Sequence, residues 1–162
     1  IKFPSTYNTP LVTIDNNFNK LVIEGICTPE NPVVFFTPIF THFKDLLAYQ
    51  KAFSLAMEIK SLSDSFPKEE KYALTGQIRR SSRSVCANIA EAYRKRRYVN
   101  HFISKLTDSD GENSETNVWL EFALNCDYIT NEQFQTLNEK TLEIGKLINY
   151  MINNPNKFGC KE

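Results

Sequence analysis

The sequence predicts an all-α fold, an antiparallel up-down-up-down four-helix bundle with a short N-terminal β-hairpin arm. From residue 43 onward, apolar residues recur at helical spacing in four stretches separated by short breaks. Before residue 42, β-branched residues alternate with others in two short runs. We therefore divide the chain into an arm (residues 1–42), a bundle (residues 43–153) and a C-terminal tail (residues 154–162).

The predicted hairpin consists of Leu11–Ile14 and Lys20–Ile26, joined by the turn-forming residues of Asp15–Asn19. The prolines of Thr28–Pro32 end it. An isolated hairpin is only marginally stable in water, so the arm must pack on another surface.

The helix boundaries follow from capping residues and prolines. Pro67 suits the first turn of the second helix, and Thr130–Gln133 is a capping box that opens the fourth. In the first helix, Leu46, Tyr49, Phe53 and Ala56 are predicted to face the core. The predicted helices are Phe43–Leu62, Lys68–Arg96, Tyr98–Cys126 and Thr130–Asn153.

The composition excludes several classes of protein. The chain has 162 residues, enough for one domain with its own core, and no apolar run approaches the ~20 residues of a membrane helix. The first residues contain no signal-peptide hydrophobic region, and the absence of an initiator methionine suggests a trimmed start. The two histidines and four scattered cysteines have no zinc-ligand spacing. We expect a cytoplasmic protein with reduced thiols, no cofactor, no metal and no membrane partner.

The net charge is zero, but it is unevenly distributed. Residues 44–97 contain twelve Lys or Arg and six acids, whereas residues 98–162 contain five Lys and ten acids. Such a split indicates either nucleic-acid contact by the basic half or pairing between the halves, within or between subunits.

The second helix has two opposed faces. Its core side carries Ile78, Val85 and Ile89, and its opposite side is basic, with Ala87 and Ala90 between the arginines. Apart from Tyr93 and Tyr98 near its end, the basic stripe has no aromatic residue on which bases could stack, so binding to nucleic acid would be directed at the backbone and weakly sequence-specific. The candidate nucleic-acid-binding residues are Arg79, Arg80, Arg83, Arg94, Lys95, Arg96 and Arg97. The alternative is that these arginines are solvated or bridge subunits.

The third helix has an outer stripe of acidic and aromatic residues. Exposed aromatics are unusual for a monomer, so we predict that this stripe docks beside the second helix of another copy. A contact between two different patches closes into a ring if the angle allows. The predicted interface residues are Arg79, Arg83, Ala87, Ala90, Asp108, Glu112, Glu115, Trp119 and Phe122. The alternative is that the arm covers Trp119 and Phe122.

Polar residues also fall on or beside the inner faces of the second and third helices. If they are buried, they must hydrogen-bond to one another and so fix the helix register. A small-ligand site is the alternative. These residues are Ser81, Asn88, Ser109, Asn113 and Asn117.

Residues His42–Met151 contain the motifs LTGQIRR at Leu74–Arg80 and ANIAE at Ala87–Glu91. With DGENSET at Asp110–Thr116, they resemble the bacterial four-helix-bundle family whose founding members are encoded by intervening sequences in 23S ribosomal RNA genes. The resemblance implies an antiparallel bundle that assembles into a homopentameric ring without enzymatic activity. A relative, the accessory protein of diversity-generating retroelements, is a basic pentameric barrel that binds nucleic acid and a reverse transcriptase. The present chain departs from it in having zero net charge.

Residues 11–40, LVTIDNNFNKLVIEGICTPENPVVFFTPIF, resemble the opening of SiaC-like regulatory phosphoproteins. Only that beginning is present, so no phosphorylation switch is carried over. We interpret the arm as a packing or docking element.

Three functions follow from these observations. The first is a non-enzymatic, ring-forming protein that binds nucleic acid, such as ribosomal RNA, through its basic helix face. The second is a structural adaptor whose oligomer docks a protein partner through residues 1–42. The third is an enzyme, which we do not expect, because acid pairs such as Asp108 and Glu112 have no base, metal ligand or cofactor loop beside them.

Overall fold

The structure, a computed structural model, describes residues 12–14, 21–23 and 41–160. The chain divides into two compact units, Ile1–Ile39 and Phe40–Glu162. The second unit is a four-helix bundle, as predicted. Its helices are α1 (Leu47–Leu62), α2 (Leu74–Lys95), α3 (Val99–Asn125) and α4 (Asn131–Asn153). Short 3-10 turns occupy Phe43–Asp45, Ser63–Ser65, Lys68–Tyr72 and Pro155–Phe158.

The predicted fold class needs a correction at the N-terminus. Residues 41–160 contain no strand, so the fold is an all-α bundle in which a β-hairpin arm is not an element. The helices satisfy their own backbone hydrogen bonds and bury one another's apolar faces, so the bundle requires no added strand. The described strands, Val12–Ile14 and Leu21–Ile23, have three residues each and pair antiparallel within the other unit. The rest of residues 1–40 lies outside the described part of the chain.

Three of the four helix starts match the prediction to within a few residues, and the capping box is confirmed. The Thr130 hydroxyl accepts a hydrogen bond from the Gln133 amide at 3.2 Å, and the Gln133 side chain accepts one from the Thr130 amide at 2.8 Å. The second helix begins later than predicted, at Leu74. There the Leu74 amide donates to the Glu70 carboxylate at 3.1 Å, and the Tyr128 hydroxyl donates to the same carboxylate at 3.2 Å. A contact from the α3–α4 connection therefore holds this start, which local sequence does not reveal.

Neighbouring helices run antiparallel, because the contacts move forward along one helix as they move backward along its neighbour. This arrangement gives the predicted up-down-up-down order. The contacts are Arg80 with Glu115 and Glu91 with Lys105 for α2 and α3, Asp110 with Asn149 and Asn113 with Thr141 for α3 and α4, and Lys51 with Glu143 and Glu58 with Lys140 for α1 and α4.

The core lies along the bundle axis, and the predicted inner face of α2 is buried. The prediction for α1 was wrong at Phe53, which is 51% exposed. The helix packs through Ala48, Ala52 and Ala56, which allow close approach, and Phe53 points about 100° away from Ala52. The largest fully buried side chains include Ile59, Ile78, Ile89, Phe102, Leu106, Leu120, Ile144 and Ile148.

The polar residues in the bundle centre bond in part to one another and in part to backbone. The Thr116 hydroxyl bonds to the Ser81 hydroxyl at 2.9 Å, and both side chains are fully buried. The Ser109 hydroxyl donates to the Val85 carbonyl at 3.0 Å, and the Asn113 amide donates to the Thr141 carbonyl at 2.9 Å. These bonds fix the register of α2, α3 and α4.

Across the described residues, no helix combines the length and the apolar character needed to cross a membrane.

Candidate nucleic-acid and subunit interface

The outer surfaces of α2 and α3 lie side by side on one side of the bundle. Ser81 and Thr116 meet on the buried edge of the seam between the two helices, and their sequence neighbours Arg80 and Glu115 meet on its solvent edge. We call this surface the α2–α3 face. Its exposed or partly buried residues are Arg80, Arg83, Ala87, Ala90, Arg94, Glu115, Val118, Trp119 and Phe122.

Arg79 lies at the corner between α1 and α2 and is bound within the chain. Its Nε donates to the Ser63 hydroxyl at 2.7 Å, and its Nη2 lies 2.9 Å from the Asp64 carboxylate. The same nitrogen lies 3.4 Å from the Lys60 carbonyl oxygen. Arg79 therefore holds the end of α1 against α2.

Arg80 pairs with the acids of α3 in the same chain. Its Nη2 lies 2.7 Å from Glu115 Oε1, and its Nη1 lies 3.7 Å from Glu112 Oε1. Trp119 Nε1 donates to the same Glu115 oxygen at 3.0 Å. Two of the three acids predicted to meet another copy thus already have a cationic partner.

Glu112 lies in an unfavourable position for a charged carboxylate. Its Oε2 atom is buried and has no hydrogen-bond partner among the described residues. Burial raises the pKa of Glu112, and the nearby charges of Glu115 and Asp108 raise it further, whereas Arg80 lowers it.

Further along the seam, Lys105 of α3 lies 3.2 Å from Glu91 of α2 and 3.0 Å from Asp108 of α3. Glu91 also pairs with Lys95 at 2.7 Å. Hydrogen bonds from Lys95 and Lys105 lower the pKa of Glu91. Lys95 and Asp108, predicted to meet phosphate and a neighbouring subunit respectively, are therefore also paired within the chain.

Arg96 packs against the end of α2 and the C-terminal turn. Its guanidinium carbon lies 3.8 Å from the centroid of the Tyr93 ring, and its Nη1 donates to the Tyr93 carbonyl at 2.6 Å. Gly159, at a φ of 86°, brings the backbone close to this side chain, because a Cβ there would lie 3.5 Å from Arg96 Nε. Arg96 thus has a structural role.

Arg83, Arg94 and Arg97 are exposed and have no carboxylate partner in the described part of the chain. Arg83 and Arg94 are eleven residues apart, so they lie on nearly the same line of α2, about 16 Å from each other. Ala87 and Ala90 lie between them, and their small side chains project little from the helix. Of the predicted basic residues, these three can approach a phosphate without breaking an ion pair.

The α3 half of the face is apolar and exposed. Val118 is 47% exposed and Phe122 is 52% exposed, one helical turn apart. Trp119 is partly buried, and its ring lies 5.6 Å from that of Phe122. The alternative prediction, that the arm covers Trp119 and Phe122, concerns residues outside the described ranges.

Two aromatic residues at the corner between α2 and α3 complete the site. The exposed rings of Tyr98 and His101 have centroids 5.5 Å apart. From the sequence, Tyr98 was noted only as an aromatic near the end of the basic stripe, and His101 was missed. Their spacing of three residues at a helix start was the available signal. Among the described residues, no cluster of His, Cys, Asp and Glu could hold a metal ion.

Residues 44–150, more than half of the chain, match the family model described as 23S rRNA-intervening sequence protein. The chain belongs to this family. A crystal structure of a protein of unknown function from the S23 ribosomal protein family of Bacteroides thetaiotaomicron is 35% identical, with a TM-score of 0.61. The match covers 68% of the present chain and 98% of that one.

This 23S rRNA-intervening sequence protein also resembles a second family in its N-terminal part. Residues 3–67 match the model of the SiaC family regulatory phosphoproteins, so residues 44–67, which include α1, match both models. No curated protein matches the chain.

Replacing Arg80 with Gln should raise the pKa of Glu112 further above its ordinary value of 4.5, because the substitution removes the nearby charge that lowers it. The measurement is a pH titration of the Glu112 carboxyl carbon by NMR. Since the folded state binds this proton more tightly than the unfolded state, stability should fall as the pH rises from 4.5 through the raised pKa.

Arg83→Gln is the matched control, because Arg83 has no carboxylate partner among the described residues. An equal shift in both variants, or a lower pKa in the Arg80 variant, would contradict the intrachain pairing.

Proposed function

We propose that this protein is a non-enzymatic, ring-forming nucleic-acid-binding protein that contacts phosphates through Arg83 and Arg94, with Arg97 at the end of the stripe. The family's name refers to 23S ribosomal RNA, so ribosomal RNA is the first ligand to test.

The observation that carries the proposal is the pair of unpartnered guanidinium groups on one line of α2. Arg83 and Arg94 have no ion-pair partner among the described residues, whereas Arg79, Arg80 and Lys95 each bind an acid of the same chain. An arginine that is already paired has fewer free N–H donors and less uncompensated charge to offer a phosphate. The small side chains of Ala87 and Ala90 allow a sugar–phosphate backbone to approach the helix between the two arginines.

The apolar half of the α2–α3 face is the observation in favour of ring assembly. Val118 and Phe122 expose about half of their surface, and their burial against another copy would be favourable. Because Arg80 and Lys105 already bind Glu115 and Asp108, the contact between subunits would be mainly apolar.

Replacing both Arg83 and Arg94 with Gln should weaken RNA binding and reduce its dependence on salt. Each lost phosphate contact should lower the slope of log affinity against log salt concentration by roughly 0.7 for a single strand. Fluorescence anisotropy of a labelled ribosomal RNA fragment, titrated at several salt concentrations, measures both quantities.

Lys146→Gln is the control for this experiment, because it removes an exposed cation on α4, away from the α2–α3 face. An equal loss of RNA affinity in the control and the double variant would contradict the assignment of Arg83 and Arg94 as phosphate contacts. No affinity of the native protein at low salt would sink nucleic-acid binding itself.

Phe122→Ser should convert the ring to smaller species, because it removes the most exposed apolar side chain of α3. Phe53→Ser, at a phenylalanine of similar exposure on α1, should leave the assembly intact. Analytical ultracentrifugation at about 0.1 M and about 1 M salt measures the mass, as the Debye length falls from ~10 Å to ~3 Å.

The native protein should keep a mass several times 18.7 kDa at both salt concentrations, since the contact is apolar. A monomer at both concentrations would refute the ring. A ring that dissociates at high salt would instead indicate basic-to-acidic docking between subunits.

A further inference from the structure

The corner between α2 and α3 presents an open aromatic surface. Tyr98 immediately precedes α3 and is 58% exposed. His101, one helical turn later, is also exposed, and the two rings are 5.5 Å apart with an angle of 48° between their planes. Together the two inclined rings form an open aromatic corner that borders solvent.

Two cations without carboxylate partners among the described residues lie on the α2 side of these rings. The Arg97 guanidinium lies 5.7 Å from the centroid of the Tyr98 ring. The antiparallel register set by Arg80 with Glu115 and by Glu91 with Lys105 places Arg94 level with His101 across the seam. The corner therefore combines aromatic rings with positive charge.

A second exposed tyrosine lacks this combination. Tyr72 is 85% exposed, and Lys71 lies 5.1 Å from its ring centroid. However, it follows Glu69 and Glu70 at the other end of α2, where the carboxylates would repel a phosphate. Tyr98 and Tyr72 are both exposed, but Tyr98 lies beside arginines and Tyr72 follows carboxylates.

We propose that the α2–α3 corner binds an unpaired nucleobase, which stacks on Tyr98 with His101 beside it, while the adjoining phosphates contact Arg94 and Arg97. The proposal rests on the proposed function and narrows its ligand to single-stranded nucleic acid. In a duplex, each base face is covered by its neighbours, whereas unpaired bases can stack on aromatic side chains. Duplexes would bind through phosphate contacts alone.

The test compares three labelled probes by fluorescence anisotropy: a short oligouridylate, an abasic strand of the same length, and a duplex. Tyr98→Ala should weaken binding of the oligouridylate by about 5- to 150-fold, the equivalent of the ~1–3 kcal/mol that stacking of one base contributes. It should leave binding of the abasic strand and the duplex unchanged.

Three further variants test whether the aromatic ring of Tyr98 is the cause of the lost affinity. Tyr98→Phe should bind like the native protein, because the stacking face remains without the hydroxyl. Tyr98→Leu keeps an apolar side chain before α3 and should lose affinity as the alanine variant does, with the native melting temperature. Tyr72→Ala, at the tyrosine flanked by acids, should bind all three probes normally.

Equal binding of the oligouridylate by the native protein and Tyr98→Ala would overturn the stacking site. So would an equal loss on the abasic strand. In both cases the dependence on Arg83 and Arg94 would survive, and the proposed function with it. If none of the three probes binds the native protein, the proposed function fails together with this site.

Discussion

The hydrogen bond between Ser81 and Thr116 fixes the arrangement on which the rest of the α2–α3 face depends. Both side chains are fully buried, and sliding α3 along α2 would break this bond and also part the buried Ser109 hydroxyl from the Val85 carbonyl. The bond sets the register that brings Arg80 to Glu115 and Lys105 to Glu91 on the solvent edge of the seam. The bundle interior thereby decides which surface charges are paired.

That register changes the meaning of the charge split in the sequence. The surplus of arginine in one half and acid in the other indicated contact with a partner, but much of it is neutralised inside the chain. Arg79, Arg80 and Lys95 bind Asp64, Glu115 and Glu91. Among the described residues, the exposed cations of α2 without an ion-pair partner are Arg83 and Arg94, beside an apolar strip on α3 formed by Val118 and Phe122. In the proposed function, the cations contact phosphate and the apolar surface contacts a second copy.

The sequence was sufficient for the four helices, the α4 capping box and the buried face of α2, because these depend on spacing within one segment. It was not sufficient for Phe53, whose outward position depends on how α1 uses its alanines to approach its neighbours. Nor could the sequence distinguish Arg80, which is ion-paired, from Arg83, since both occupy the polar side of one helix. Their difference arises from the facing acid, which only the packed pair of helices supplies.

The most direct test of this account is the two-dimensional NMR spectrum of the arginine Nε–Hε groups, recorded with and without a single-stranded oligonucleotide. The account predicts that the Arg83 and Arg94 signals shift on titration, while those of Arg79 and Arg80 stay where their carboxylate partners hold them. Shifts of Arg79 and Arg80 as large as those of Arg83 and Arg94 would contradict it. They would show that the seam does not determine which arginines meet nucleic acid.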